Sequence, residues 1–298
     1  MRVLVTGVSG FAGSIVAGRL ARAGYDVVGL HRRDTRFLGG LADVPNVTLV
    51  HGDLAAAADL PGPFESIVHV AATSPGPAIT ASQIVCDNVD ATRSLIDAAL
   101  NWQSRRFIYF SSLSLYGQVS VPVVDEATPI VNPDVYGASK FLCEALLAER
   151  AAVLPSLSMR LPGVLGPGAH RNWLSQVAEK MLAGERIDAY HLDAPFNNAA
   201  HIDDIAKLII ATLGRSFTGA DAVVLGAAGE IPVREALAIL ARGLGREPRI
   251  NECTAPKPGF ILSSRRAIER WGYRPMEIGT LIGRYAADAL QASRTSVA

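Results

Sequence analysis

In the stretch VYGASKFLCEALLAER, residues 135–150, a tyrosine and a lysine stand four positions apart as Tyr136 and Lys140. On a helix that spacing stacks both side chains on one face, about a turn apart. The ammonium could then alter the chemistry of the phenol, or the two could be ordinary surface residues. The spacing alone does not choose.

A second group of residues points to phosphate. TGVSGFAG, residues 6–13, directly follows an apolar run and opens a helical pattern. Gly7 permits a tight turn, Gly10 lets a pyrophosphate approach the backbone, and Gly13 allows close packing of helix on strand. An anion would sit over free N–H groups at the helix N-terminus. The other reading is a structural turn, but a strand before and a helix after are what dinucleotide binding requires.

The end of the next strand bears on which dinucleotide. GLHRRD, residues 29–34, places His31, Arg32 and Arg33 where a carboxylate could accept from a ribose 2′-hydroxyl. Guanidinium forks match phosphate oxygens, so this end predicts NADP, with NAD as the second choice. Alternatively both arginines are solvated, with Asp34 as a partner. Asp53, in HGDL, stands where it could contact the adenine amine. Ala71 and Ala72, in HVAA, are small enough for a cofactor to lie against the backbone. His69 reads as a packed histidine, and with no second ligand at metal spacing no metal site is expected.

The elements that must position these residues alternate. Strands are predicted at Val3–Thr6, Val27–Leu30, Val47–Val50, Ile67–Val70, Phe107–Ser111 and Leu157–Leu161. Helices are predicted at Phe11–Ala23, Ser82–Leu100 and Tyr136–Ala152. The strands are continuously apolar, which implies burial on both faces and a doubly wound parallel α/β sheet of Rossmann type. LPGVLGPGAHR, from Leu161, reads as a loop. Beyond it come helices near Asn172–Leu182, Asp203–Leu213 and Pro232–Leu244, a strand at Ala222–Leu225, and a loop and short helix in PKPGFILSSRRAIERWGYRP. The expected layout is a nucleotide-binding domain over 1–165, joined again by 190–225, with a smaller discontinuous C-terminal substrate lobe from 166–189 and 226–298.

Composition narrows the function classes. The 298 residues are 49% hydrophobic and 19% charged, with 28 basic residues against 28 acidic ones. No global field draws such a chain to nucleic acid or an anionic membrane. Three scattered cysteines, Cys86, Cys143 and Cys253, form no disulfide framework or zinc motif and fit a reducing cytoplasm. The apolar start MRVLVTGVSG breaks at Gly7 into the glycine pattern, and no apolar run is long enough to span a bilayer. The expectation is a soluble cytoplasmic protein.

The motifs together resemble an extended short-chain dehydrogenase/reductase, in the epimerase/dehydratase branch that mostly acts on nucleotide sugars. TGVSGFAG, GDL, HVAA, NVDATRSLIDAA, FSSLSLYG, YGASK, RLPGVLGPG and HIDDIA carry the resemblance over nearly the whole chain. It implies a catalytic triad of Ser112, Tyr136 and Lys140, with Asn88 supporting the lysine through water. It also implies that Ser9, Phe11, Ala12, Leu54 and Pro162 join the cofactor lining and that Lys140 holds the nicotinamide ribose. A phenol of ordinary pKa near ~10 is only about 0.1% ionised at neutral pH, so nearby positive charge is what proton exchange with a carbinol or keto oxygen needs.

Within this family the dehydratases place an Asp-Glu pair just after the catalytic serine or threonine. Here those positions are Leu113 and Ser114, which speaks against 4,6-dehydration and leaves a 4-keto reductase or a 4-epimerase. An NADP signature tilts toward a reductase. The resemblance puts the substrate near Ser114, Arg171, Asn172, Asn197, Asn198 and Arg249, and implies a homodimer built from the helices of NVDATRSLIDAALNW and FLCEALLAERAA. A small-molecule carbonyl reductase of the dihydroflavonol-reductase type shares these motifs. A non-catalytic NADP-binding regulator would more often have lost the tyrosine or the lysine.

Overall fold

The computed structural model describes residues 1–254 and 257–295. They form two units. The first comprises 1–118, 128–161 and 206–223, and the second 119–127, 162–205 and the described part of 224–298. The return to the first unit is therefore shorter than 190–225. Ala199–His201 pairs in parallel with Gly163–Leu165, and Val123–Val124 with Ile261–Leu262, which keeps these segments in the second unit.

The first unit holds a seven-stranded parallel sheet. Its strands are β1 (Arg2–Thr6), β2 (Asp26–His31), β3 (Val47–His51), β4 (Ser66–His69), β5 (Arg106–Ser112), Ser156–Leu161 and Ala220–Val224. Across the sheet the order is Ala220–Val224, Ser156–Leu161, β5, β4, β1, β2, β3, so the winding reverses between β1 and β4. Ligands of such sheets bind at that reversal, beyond the carboxyl ends of the strands. As continuous apolar runs imply, β1, β2, β4 and β5 are buried along nearly their whole length, while the edge strand β3 is only partly covered.

The helices of this unit include α1 (Phe11–Arg22), α2 (Arg36–Ala42), α3 (Ala81–Ile84), α4 (Ala91–Asn101) and α5 (Val135–Glu149), and most of the helix Ile202–Leu213, expected near Asp203–Leu213, also lies in it. Arg19 and Arg22 lie in the last turn of α1, where cations complement the helix dipole. The Asp134 side chain caps α5 by accepting from Gly137 N–H. Leu4, Ile67, Leu95, Phe107 and Leu147 meet in one core, each worth about 1.5–3 kcal/mol of burial. The short α2 is absent from the sequence reading because two glycines interrupt it. The single helix expected over Ser82–Leu100 is α3, a π turn at Val85–Asp90, and α4.

The second unit packs helices Trp173–Ala183, Val233–Leu244 and Ile278–Thr295 around a core that includes Leu237, Leu240, Leu281 and Tyr285. The last of these helices was not anticipated, although Leu281, Ile282, Tyr285 and Ala286 carry helical spacing. The loop expected at LPGVLGPGAHR contains the strand Gly163–Leu165, whose backbone groups find partners in Ala199–His201. Among the described residues no helix is long and apolar enough to cross a membrane, and no cluster of metal-ligating side chains occurs.

Candidate active site

Lys140 is only 2% exposed, and its Nζ donates to the Phe110 carbonyl oxygen at 2.8 Å. The ammonium lies 4.9 Å from the Tyr109 ring centroid and 5.6 Å from that of Tyr136. A strand carbonyl and two aromatic faces thus hold it in place of water. Ser112, two residues beyond Phe110, ends β5, and its Oγ donates to Ser114 Oγ and accepts from Ser114 N–H, both at 3.1 Å. The first turn of α5 is pressed onto this corner. A Cβ at Gly137 would come within 2.1 Å of the Ser114 carbonyl oxygen, so only glycine allows the approach. Ser112, Tyr136 and Lys140 are thereby gathered at the carboxyl end of β5.

Asn88 makes three direct hydrogen bonds to protein groups. Its Nδ2 donates to the Thr73 carbonyl and to Ser139 Oγ, both at 3.1 Å, and its Oδ1 accepts from Thr73 N–H at 2.7 Å. Ser139 Oγ in turn donates to the Tyr136 carbonyl at 2.7 Å. Asn88 therefore clamps the segment after β4 to α5, from a π turn of the kind often found at functional sites.

A buried network one turn further along α5 went unnoticed in the sequence. Arg160 donates to both Glu144 carboxylate oxygens, at 2.8 Å in its shortest contact, and to Tyr116 Oη at 2.8 Å. Ser111 Oγ donates to Glu144 Oε1 at 2.5 Å. Burial works against the Arg160 charge, but the Glu144 hydrogen bonds and charge outweigh it and its pKa is raised. A glutamate amid apolar residues of α5 and an arginine in a fully buried strand were the available signals.

His69 is a core histidine, as expected. Thr6 Oγ1 accepts from the N–H groups of Val70 and Ala71, so its own hydroxyl donates to His69 Nδ1 at 2.7 Å. His69 Nε2 then carries the proton and donates to Thr92 Oγ1 at 2.9 Å. Burial first, and the Lys140 charge second, push its pKa down to about 3.

The glycine turn fits a dinucleotide. Gly7 has φ +73°, and a Cβ there would lie 2.8 Å from Ala71 N. At Gly13 a Cβ would lie 2.2 Å from the Gly7 carbonyl oxygen, which locks α1 against the turn. Gly10 occupies the N-cap of α1 and supplies no side-chain cap, so the Phe11–Ala12–Gly13 end presents backbone without a covering side chain. Ser9 borders this turn, its carbonyl accepting from Thr35 Oγ1 at 2.6 Å.

At the other end of the turn the charges are already engaged. Arg32 makes a two-pronged hydrogen bond to Asp87, both contacts at 3.3 Å, and lies 3.7 Å from Asp53 Oδ2. Asp34 pairs with the buried His31 at 3.3 Å and has no such contact with Arg32. Asp53 also caps the 3₁₀ turn Leu54–Asp59, accepting from Ala55 N–H at 3.0 Å. Arg33 and Ala72 are exposed, Ala71 is half-buried and Leu54 is buried; Pro162 falls in the second unit.

The second unit has its own cleft of about 190 Å³, lined by Trp173, Tyr190, Phe196 and Phe260, with Asn198 and His191 as its polar members. Trp173 and Phe196 pack edge to face at 5.3 Å. Asn198 Oδ1 is buried with no hydrogen-bond partner. Of the other expected substrate contacts, Asn172 is spent on structure: it caps helix Trp173–Ala183 by accepting from Ser175 N–H at 2.9 Å, and it donates to the Val164 carbonyl at 3.0 Å. Asn197 is likewise taken by both backbone groups of Leu262. Arg171 and Arg249 are exposed, Arg249 in a strand paired with Arg186–Ala189, and Ser114 is exposed in the first unit.

The model of the NAD dependent epimerase/dehydratase family matches residues 3–226. A UDP-glucose 4-epimerase of Streptomyces lividans is 28% identical over 92% of this chain and 91% of its own length. A dTDP-glucose 4,6-dehydratase of Streptomyces antibioticus is 27% identical over 92% of this chain and 88% of its own. The fold is that of the UDP-glucuronic acid 4-epimerase from Bacillus cereus in complex with NAD, at a TM-score of 0.84 and 20% identity over 98% of this chain and 99% of that one.

Proposed function

The chain belongs to the NAD dependent epimerase/dehydratase family, and from that premise we propose that it is a nucleotide-sugar 4-epimerase working by reversible hydride transfer at a carbinol carbon. The observation that carries this reading is the gathering of Ser112, Tyr136 and a buried Lys140 at the end of β5. Bound NAD would supply a reversible hydride acceptor for the carbinol carbon, and inversion requires the keto sugar to turn its opposite face before the carbon is re-reduced. Tyr136 takes the hydroxyl proton as the keto group forms and gives it back as the carbinol re-forms. The Lys140 ammonium stabilises the phenolate form of Tyr136, the form that takes the proton. Ser112 donates to the sugar oxygen, which it can do by turning its hydroxyl from Ser114.

Gly7, Gly10 and Gly13 would hold the pyrophosphate, with Asp53, Ala71 and Ala72 bordering the adenosine. The family description names NAD, and the engagement of Arg32 by Asp87 removes the ground for preferring NADP, and with it the tilt toward a reductase. Family membership covers dehydratases too, and Leu113 is the reason to set them aside: its side chain carries no proton to move across the second carbon. The aromatic cleft of the second unit, with the unpartnered Asn198 Oδ1, fits a planar, hydrogen-bonding group such as a nucleobase. A homodimer is proposed through the outer face of α5 and the π turn, where Phe141, Leu142 and Val85 are 42%, 47% and 43% exposed. Light scattering at micromolar concentration should give twice the chain mass.

The test incubates the protein with NAD and UDP-, GDP- and dTDP-hexoses, and separately with NADH or NADPH and 4-keto sugars. An epimerase interconverts an ordinary hexose with no net change at the reduced-nicotinamide band. Stoichiometric consumption of the reduced cofactor by a keto sugar would make it a reductase. Tyr136→Phe should lower turnover by about 10²–10⁴-fold while cofactor still binds; near-normal turnover would refute the mechanism.

A further inference from the structure

We propose that Asp87 sets the dinucleotide preference of this chain by holding Arg32 in a two-pronged ion pair, so that the paired arginines after β2 favour NAD over its 2′-phosphorylated form. The inference rests on the dinucleotide reading of the glycine turn and goes beyond it.

Both Arg32 guanidinium nitrogens of the fork face the Asp87 carboxylate at 3.3 Å, which is the geometry an arginine would otherwise present to a phosphate. Asp53 adds a second carboxylate 3.7 Å from the same guanidinium. Asp34, exposed beside His31, is a third acid on this short arc. Arg32 and Arg33 thus sit among three carboxylates, and a phosphate dianion arriving there must displace one of them and meet the rest.

Asp87 is itself braced. Thr73 Oγ1 donates to its Oδ2 at 2.6 Å, and the adjoining Asn88 is bonded to both backbone groups of Thr73. Its side chain is 18% exposed against 45% for Arg32, so the acid is the fixed member and the arginine the one that reaches. Burial would raise the Asp87 pKa, but the hydrogen bonds from Arg32 and Thr73 and the charges of Arg32 and Arg33 lower it overall. The carboxylate therefore stays ionised and keeps its hold on Arg32 across the neutral range.

The experiment titrates the full-length protein with NADH and with NADPH, following nicotinamide fluorescence, which needs no sugar substrate and no turnover. The parent should bind NADH more tightly. Asp87→Asn keeps the shape and the Thr73 contact but frees the guanidinium, and should raise the NADPH-to-NADH affinity ratio about tenfold, the worth of one charge-assisted fork. Adding Arg32→Ala to Asp87→Asn should cancel that gain, and Asp87→Glu should keep the parent's preference. Should Asp87→Asn not fold by circular dichroism, Asp87→Ser takes its place with the same expectation. Both nucleotides binding with an unchanged ratio in the freed variant, or a parent that already prefers NADPH, overturns the role of Asp87. Failure of the folded parent to bind either nucleotide overturns the dinucleotide reading itself, and this inference with it.

Discussion

Two forked arginine–carboxylate pairs of the first unit share one chemistry in different surroundings. Arg160 and Glu144 have side chains 10% and 9% exposed, while Arg32 and Asp87 are 45% and 18% exposed. Both guanidiniums make forked contacts. In the buried pair each charge has lost its water and each depends on the other, with Ser111 and Tyr116 completing the set. In the exposed pair water competes for Arg32, so the arginine can change partner at small cost. Burial therefore separates a bond that fixes α5 against the sheet from one whose arginine is free to change partner.

The largest effect expected from this contrast falls on Glu144. Glu144→Gln leaves the Arg160 charge buried without its counter-charge, and should lower unfolding stability by about 3–5 kcal/mol. Replacing both partners by methionine should cost much less, since no charge is then stranded. Urea unfolding of the three proteins checks this, and a loss below 1 kcal/mol in the single variant would remove the distinction between the pairs.

His69 sharpens the comparison as a buried ionisable group that has hydroxyl partners and no counter-ion. Its folded pKa, about 3, lies below the ordinary histidine value of 6.5. The unfolded chain then binds one more proton between those values, so stability is complete above pH 6.5 and falls toward pH 3 by about 1.4 kcal/mol per unit. His69→Gln can still accept from Thr6 and donate to Thr92. Between pH 6.5 and 5 it should lose about 2 kcal/mol less than the parent, and equal losses would contradict the assigned neutral form.

The contrast also explains what could be read from sequence. The glycine turn and the α5 face were legible because each is local: Gly7 turns the chain at positive φ, Gly13 packs directly on Gly7, and Tyr136 and Lys140 share a helix. The continuous apolar strands likewise announced a sheet covered on both sides. Partner choice was not legible, because it depends on side chains far apart in the chain. Arg32 and Asp87 are separated by 55 positions, so GLHRRD looked like two free arginines. Asn172 and Asn198 looked alike in sequence, yet one caps a helix and the other lines an aromatic cleft with an unsatisfied oxygen. The cleft itself draws Trp173, Tyr190, Phe196 and Phe260 from four separate segments, with no spacing to signal it.

The smallest effect expected is on the stability of the exposed pair, and it is the sharpest check on the comparison. Arg32→Ala removes a forked contact whose two arms are both 3.3 Å, against 2.8 Å for the shortest arm of Arg160. Because Arg32 stays nearly half solvated, its loss should change unfolding stability by less than about 1 kcal/mol. Whatever the pair contributes should also fade with salt, since the Debye length shrinks from about 10 Å at 0.1 M to about 3 Å at 1 M. The difference between parent and Arg32→Ala should therefore close as salt rises, while the deficit of Glu144→Gln persists. A salt-independent loss above 2 kcal/mol in Arg32→Ala would mean that this pair is also part of the framework. Arg32 would then not be free to exchange Asp87 for a phosphate.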